Sequence, residues 1–268
     1  MVRVGYLGVG NIGEAIATNA LVAGFDLMVY DLRPERVHKL QALGAKVGKT
    51  AAEVGRHAEI LQVTIAGDER IESALFDHDG AMDGLQPGSI VTLHSTMNPA
   101  NVRRMAERAA TRDVEVIDAQ MTGARAGAET RTLVYMVGGA VDTIERCKPL
   151  FRASGERIYH MGAVGAGASA KLAQQMMTCA NIVGFSEGLR VAKAAGLDRD
   201  QFLAMIEGST AQSDVSRVWS KRYAGLAQEH IDGFFEGLRP AIAMAHAIDV
   251  PIPLTALTQQ LLGEAFRE

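Results

Sequence analysis

Glycines 8, 10 and 13 in the stretch Gly8-Val-Gly-Asn-Ile-Gly13 give the chain its first chemically useful spacing, G-x-G-x-x-G. Where a strand turns into a helix, the first glycine permits the tight bend and the second lets the backbone approach a pyrophosphate. The third lets the helix pack closely on the strand. The N–H groups that open such a helix, those of Asn11 and Ile12 among them, then face phosphate oxygens. The next apolar run ends in Asp31, an acid placed to bind a ribose 2′-hydroxyl. A glycine-rich turn of another α/β protein, with Asp31 capping a helix near Pro34, would show the same letters. The complete strand, helix, strand and acid series favours a dinucleotide.

A second constellation is Lys171, Gln174, Gln175 and Thr178, at i, i+3, i+4 and i+7 among Leu172, Ala173, Met176, Met177, Cys179 and Ala180. The spacing makes one polar stripe on a helix, facing either water or a cleft. A solvated lysine satisfies that pattern. In a partly desolvated cleft beside a cationic ring, the same lysine would have its pKa lowered toward neutrality and would suit general acid/base work. The histidines show no metal-ligand spacing, so His94 and His160 read as strand-end or core residues, and Asp118 reads as a turn-fixing acid. Cys147 and Cys179 stand apart without C-x-x-C and read as buried thiols of a reducing compartment, so no metal is expected.

The elements that must hold these residues follow from the patterning. Val2 to Leu7, Phe25 to Tyr30, Ile60 to Ile65, Ser89 to Leu93, Val114 to Asp118, Leu133 to Val137 and Arg157 to Met161 read as strands. Helical stretches run from Asn11 to Gly24, Pro34 to Leu43, Glu69 to Leu75, from Asn98, and from Ala140 to Phe151. Thr50-Ala-Ala-Glu53 has capping-box spacing. This alternation predicts a Rossmann-type, doubly wound parallel sheet with helices on both faces. Ligands of such sheets lie off the carboxyl ends of the strands, which puts Thr64, Ile65 and Thr96 beside the cofactor. The small-residue stretch Ala119 to Gly127 reads as a loop whose N–H groups form a concave anion site. At Gly162 the composition changes, and a proline-free helical pattern runs to Ala195. Residues 1–162 are therefore expected to form the dinucleotide-binding domain and residues 163–268 an all-helical domain, with helices from Asp200, Val215 and Leu238, joined by the long helix.

The balance of 27 basic and 31 acidic residues, without blocks of like charge, argues against nucleic-acid or membrane partners and for a small molecule. A first strand starting at residue 2 leaves no room for a signal peptide, and no apolar run is long enough to span a bilayer. A cytoplasmic protein is expected.

These signatures recur together in one family. The glycine motif, Ser95-Thr96, Asp118-Ala-Gln-Met-Thr-Gly-Ala-Arg-Ala-Gly-Ala128, Thr132-Leu-Val-Tyr-Met-Val-Gly-Gly139, Gly165-Ala-Gly-Ala-Ser-Ala-Lys-Leu172 and Pro251-Ile-Pro-Leu-Thr-Ala256 stand in the order and spacing of the β-hydroxyacid dehydrogenases. The chain resembles that family along nearly its whole length. The resemblance implies hydride transfer between NAD, or NADP, and the carbinol carbon of a small 3-hydroxy acid. It also implies a substrate carboxylate on Thr122, Gly123 and Ala124, Lys171 exchanging the hydroxyl proton, Gln175 supplying an amide beside it, and subunits paired as a homodimer or homotetramer through the helical domain. Three departures stand out. The family's Ser-Gly-Gly is Thr122-Gly123-Ala124, its paired asparagines are Gln174-Gln175, and its C-terminal Lys-Asp-Leu falls on Glu236-Gly237-Leu238. Arg125 would either replace the missing cation or face solvent. An imine reductase and a nucleotide-binding regulator without activity are the alternatives. Asp31 favours NAD over NADP, with Arg33 nearby as a possible counterweight.

Overall fold

A computed structural model describes residues 2–223 and 228–266. The chain divides into two compact units, Met1–Lys171 and Leu172–Glu268. The first unit contains β1 (Arg3–Leu7), α1 (Asn11–Val22), β2 (Asp26–Tyr30), α2 (His38–Ala42), β3 (Lys46–Val47), α3 (Ala51–His57), β4 (Ile60–Val63), α4 (Asp68–Phe76), β5 (Ile90–Leu93), α5 (Pro99–Ala110), β6 (Glu115–Thr122), α6 (Ala124–Glu129), β7 (Leu133–Gly138), α7 (Val141–Arg152), β8 (Gly155–Gly162) and the start of α8 (Ala166–Ala194).

The strands form one sheet in the order β3-β2-β1-β4-β5-β6-β7-β8. Strands β1 to β6 are parallel, while β7 pairs antiparallel to β6 and β8 parallel to β7. The expected parallel sheet is therefore reversed at its last two strands. A parallel crossover takes a dozen or more residues, and the link from Thr122 to Leu133 holds only a turn and the short α6, so the chain doubles back. For the same reason Ala119 to Gly127 is not a loop throughout. Its first residues extend β6 to Thr122, and the helix α6 starts at Ala124. The expected helix at Pro34 is likewise a 3-10 turn (Pro34–Arg36) followed by α2.

Alternate side chains of the central strands feed two cores. On one face Val4, Tyr6, Ile60, Ile90 and Ile117 pack with Ile16 and Ala20 of α1 and with Ile144 and Phe151 of α7. On the other, Leu7, Leu61, Val63, Val91 and Leu93 meet Val54 of α3, Ile71 of α4 and Met105 of α5. Each such fully buried aliphatic side chain contributes about 1.5–3 kcal/mol. Two buried faces explain why the strands are almost continuously apolar. At α3, Thr50 accepts the Glu53 N–H at 3.2 Å, but the Glu53 carboxylate accepts the Lys49 N–H rather than that of Thr50, so the box is only half closed.

Among the described residues the second unit is helical: the rest of α8, α9 (Arg199–Glu207), α10 (Asp214–Val218), a π-helical turn Trp219–Tyr223, α11 (Gln228–Ala247) and α12 (Pro253–Ala265). Its core gathers Cys179, Ile182, Val215, Trp219, Leu238, Leu262 and Phe266, with the Trp219 and Phe266 rings stacked at 6.3 Å. The helix expected from Leu238 starts ten residues earlier, at Gln228, and runs through Pro240. A proline normally ends a helix, which is why the sequence pattern alone puts the start too late.

Candidate functional site

The glycine motif forms a close-packed turn at the carboxyl end of β1. Gly8 has φ +84°, its N–H donates to Tyr30 O at 3.0 Å, and the Thr64 hydroxyl donates to its carbonyl. A Cβ at Gly8 would lie 2.9 Å from Cγ1 of Ile65. A Cβ at Gly13 would lie 2.5 Å from Thr64 Oγ1 and closer still to Gly8 O, so only glycine lets α1 sit this near the sheet. Gly10 precedes α1 and gives it no side-chain cap, leaving the first N–H groups for an anion. Thr64 and Ile65 follow β4, and Ile65 is fixed by the Ser95 hydroxyl, which donates to its carbonyl at 2.5 Å. Thr96, half-buried, is the next residue in the loop after β5. A diphosphate fits this cradle, which lies off the carboxyl ends of neighbouring strands.

Asp31 follows β2 and is anchored on both oxygens. Oδ2 accepts the Val9 N–H at 3.0 Å and Oδ1 accepts the Arg33 N–H at 2.9 Å. The cation beside it is Arg36, with Nη1 3.7 Å from Asp31 Oδ2 and 3.3 Å from where a Gly10 Cβ would stand. Sequence reasoning singled out Arg33 and missed Arg36, because only the 3-10 turn after Arg33 brings the later arginine back over the glycine loop.

At the far end of β6, Thr122, Gly123 and Ala124 are half-buried. Gly123 has φ +121° and Ala124 φ +54°. A left-handed alanine is strained by about 1–2 kcal/mol. Arg125 neither faces solvent freely nor points from this turn as a spare cation. Its guanidinium donates to Asn11 O at 2.9 Å, Asn11 Oδ1 at 3.2 Å, Glu14 Oε1 at 3.3 Å and Glu129 Oε1 at 2.6 Å.

Asp118, earlier on β6, is fully buried, and its carboxylate accepts the Gly165 and Ala168 N–H groups, both at 2.6 Å. Burial pushes its carboxyl above the usual range, and these backbone donors oppose the shift. The acid thus ties the first turn of α8 to the sheet. Three residues after Ala168 comes Lys171, half-buried on α8, and one turn later Gln175. Gln174 donates through Nε2 to the Thr178 hydroxyl at 2.7 Å. The Gln175 amide packs against Gly237 of α11, filling the place a side chain would take. The side chain of Glu236 lies outside the described residues. Among the described residues, no three His, Cys, Asp or Glu side chains group as a metal site, and no helix is long and apolar enough to cross a membrane.

His94 is buried at the end of β5. Nδ1 lies 2.8 Å from Ala119 O and must donate to it, so Nε2 accepts from Thr92 Oγ1 at 3.0 Å. Burial pulls its pKa from 6.5 down to about 4. The folded state therefore binds fewer protons than the unfolded state between these values. Stability present at pH 7 is lost as the pH falls through that window, by about 3 kcal/mol in all. Urea midpoints measured from pH 7 to pH 4 should fall more steeply for the native chain than for His94→Gln. Parallel curves would contradict this. Asp118 acts with the opposite sign and cancels in the comparison.

Fold and site together define a dinucleotide-dependent oxidoreductase. Residues 3–162 match the family described as the NAD binding domain of 6-phosphogluconate dehydrogenase, and residues 165–268 match the NAD-binding family of NADP-dependent 3-hydroxyisobutyrate dehydrogenase. The chain belongs to the β-hydroxyacid dehydrogenase family. It is 29% identical to an NAD-dependent L-serine dehydrogenase of Pseudomonas aeruginosa over 100% of this chain and 95% of that one. It is 30% identical to the mitochondrial 3-hydroxyisobutyrate dehydrogenase of Drosophila melanogaster over 97% of this chain and 82% of that one. Its fold is shared with Mycobacterium tuberculosis 3-hydroxyisobutyrate dehydrogenase, solved with L-serine, at TM-score 0.88 and 22% identity over 98% and 94% of the two chains.

Proposed function

We propose that this enzyme oxidises the hydroxyl-bearing carbon of a small 3-hydroxy acid, L-serine or 3-hydroxyisobutyrate in type, with Lys171 exchanging the hydroxyl proton. The observation that carries the reading is the double use of β6. One strand holds the base of α8 through Asp118 and then runs on into Thr122, so the lysine helix and the carboxylate turn share one rigid support. Thr122 offers its hydroxyl and Gly123 and Ala124 their N–H groups to the carboxylate, and the Gln175 amide lies one turn beyond the lysine. The loop from Gly8 to Gly13 holds the diphosphate, Asp31 the adenosine ribose, and Thr64, Ile65 and Thr96 border the dinucleotide. When bound, the nicotinamide accepts or returns the hydride.

A panel of L-serine and 3-hydroxyisobutyrate, each assayed with NAD and NADP, tests this reading. NAD should give the higher kcat/KM, because the Asp31 carboxylate repels a 2′-phosphate even with Arg36 beside it. A preference for NADP would overturn the Asp31 assignment, and no turnover of either acid would overturn the substrate class. The helical unit leaves Met177, Val191, Ile248, Leu254 and Leu257 exposed, which supports self-association through that unit. Light scattering at micromolar concentration should give at least a dimer, and a monomer mass would refute this.

A further inference from the structure

We propose that Arg125 is a positioning residue that clamps the carboxylate turn to the diphosphate loop, so that substrate and cofactor binding depend on one side chain. The inference rests on the assignment of Thr122 to Ala124 as the carboxylate turn. It goes further in giving a role to a residue that touches neither ligand group.

The sequence places Arg125 directly after the left-handed pair Gly123 and Ala124. Such a turn persists only where its surroundings hold it, since Ala124 on its own would relax to negative φ. The guanidinium supplies that hold. Four hydrogen bonds leave it, and three end on the first turn of α1: Asn11 O, Asn11 Oδ1 and Glu14 Oε1. The fourth ends on Glu129, one turn along α6. Asn11 lies inside the glycine motif, so the planar fork of Arg125 joins the two loops across more than a hundred residues of sequence. Arginine suits this task, because its fixed array of donors meets several acceptors at once while a lysine presents a single charged point.

The surrounding charges exclude direct substrate binding as the role of Arg125. Glu14 and Glu129 face it, and Glu14 also accepts Lys39 Nζ at 2.6 Å, so two acids balance two cations. Lys39 first, and Arg125 with it, holds the Glu14 carboxyl below its usual range. A guanidinium already neutralised in this way has little attraction left for a second carboxylate. Four of its five N–H donors are engaged, three of them in holding α6 against α1 and one on Glu129 within α6.

Arg125→Ala should therefore move both sites together. NADH dissociation constants, read by fluorescence titration, are expected to rise about fivefold, and the KM for L-serine or 3-hydroxyisobutyrate at saturating NAD about tenfold, with kcat kept within about threefold. Arg125→Lys should recover part of each effect. In a double-mutant cycle, Asn11→Ala should add less to KM in the Arg125→Ala background than in the native one, since the shared bond is already lost. A rise in KM alone would make Arg125 a direct carboxylate ligand and a rise in the NADH constant alone would confine it to the diphosphate loop. No change in either would make it a surface ion pair. Each of these three results overturns the clamp. A native enzyme that turns over neither acid defeats the substrate assignment instead, and the two failures are distinct.

Discussion

Lys171→Ala should lower kcat by about 10²- to 10⁴-fold, the range for loss of a positioned acid/base, while the NADH dissociation constant stays within about twofold. The separation follows from where the groups sit. The proposed cofactor cradle is built from Gly8 and Gly10 in the turn after β1, Gly13 in the first turn of α1, and Asp31 and Thr64 just past β2 and β4, and none of the contacts that fix these residues involves α8. Lys171 sits on a helix anchored independently, by Asp118 on β6. Removing its side chain leaves that anchor intact, so the loss should fall on the chemical step. Thr122→Ala should do the reverse and raise KM with little change in kcat, because a carboxylate held equally in ground and transition state contributes uniform binding. Lys171→Ala with near-native turnover would remove the lysine from the mechanism, and a parallel loss of NADH binding would show that α8 supports the cradle after all.

The two halves of the site differed in how far the residues alone revealed them. The cradle was legible because its demands are local. Gly8 needs a left-handed φ and Gly13 needs contact with the preceding turn, and both requirements select glycine at fixed spacing. Asp31 was legible for the same reason, since a strand end fixes its position. What the sequence hid are long-range pairings. Asp118 looks like a turn-former until β6 and the start of α8 are brought together, and then it proves to bond N–H groups 47 and 50 residues away. Arg125 and Arg36 are ordinary surface letters whose partners come from other elements. The reversal of β7 was hidden too, because alternation of strands and helices says nothing of direction when the connection is too short for a crossover.

Local change can also hide a compensation. Gln175 has a longer arm than the family's asparagine, and read alone the exchange suggests a displaced amide. The structure shows that amide occupying the side-chain space left by Gly237, so the two departures fit each other within the helical unit. A residue-by-residue transfer of family roles misses this, because it treats each position as independent, whereas a packed interior couples neighbours.

Gly13→Ala should have the second large effect, on cofactor binding rather than on chemistry. The added methyl meets Thr64 Oγ1 at 2.5 Å and the Gly8 carbonyl oxygen at shorter range still. The threonine hydroxyl can rotate away, but the carbonyl belongs to a left-handed glycine that is itself hydrogen-bonded to Tyr30 and cannot follow it. Relief therefore requires α1 to lift from β1, which carries the Asn11 and Ile12 N–H groups away from the diphosphate. Overpacking of this kind costs about 1–3 kcal/mol, and if most of it falls on the binding-competent geometry, NADH affinity drops about 10- to 100-fold. Gly24→Ala provides the control. Gly24 also has positive φ, +88°, but an added Cβ there meets nothing within 4 Å, so it should lose about 1 kcal/mol of stability and keep its affinity for NADH. Thr64→Ala added to Gly13→Ala removes one of the two obstructions and should restore little, since the backbone contact remains. Substantial rescue would place the clash on the hydroxyl instead, and native NADH affinity in Gly13→Ala would remove the close approach of α1 from the account of cofactor binding.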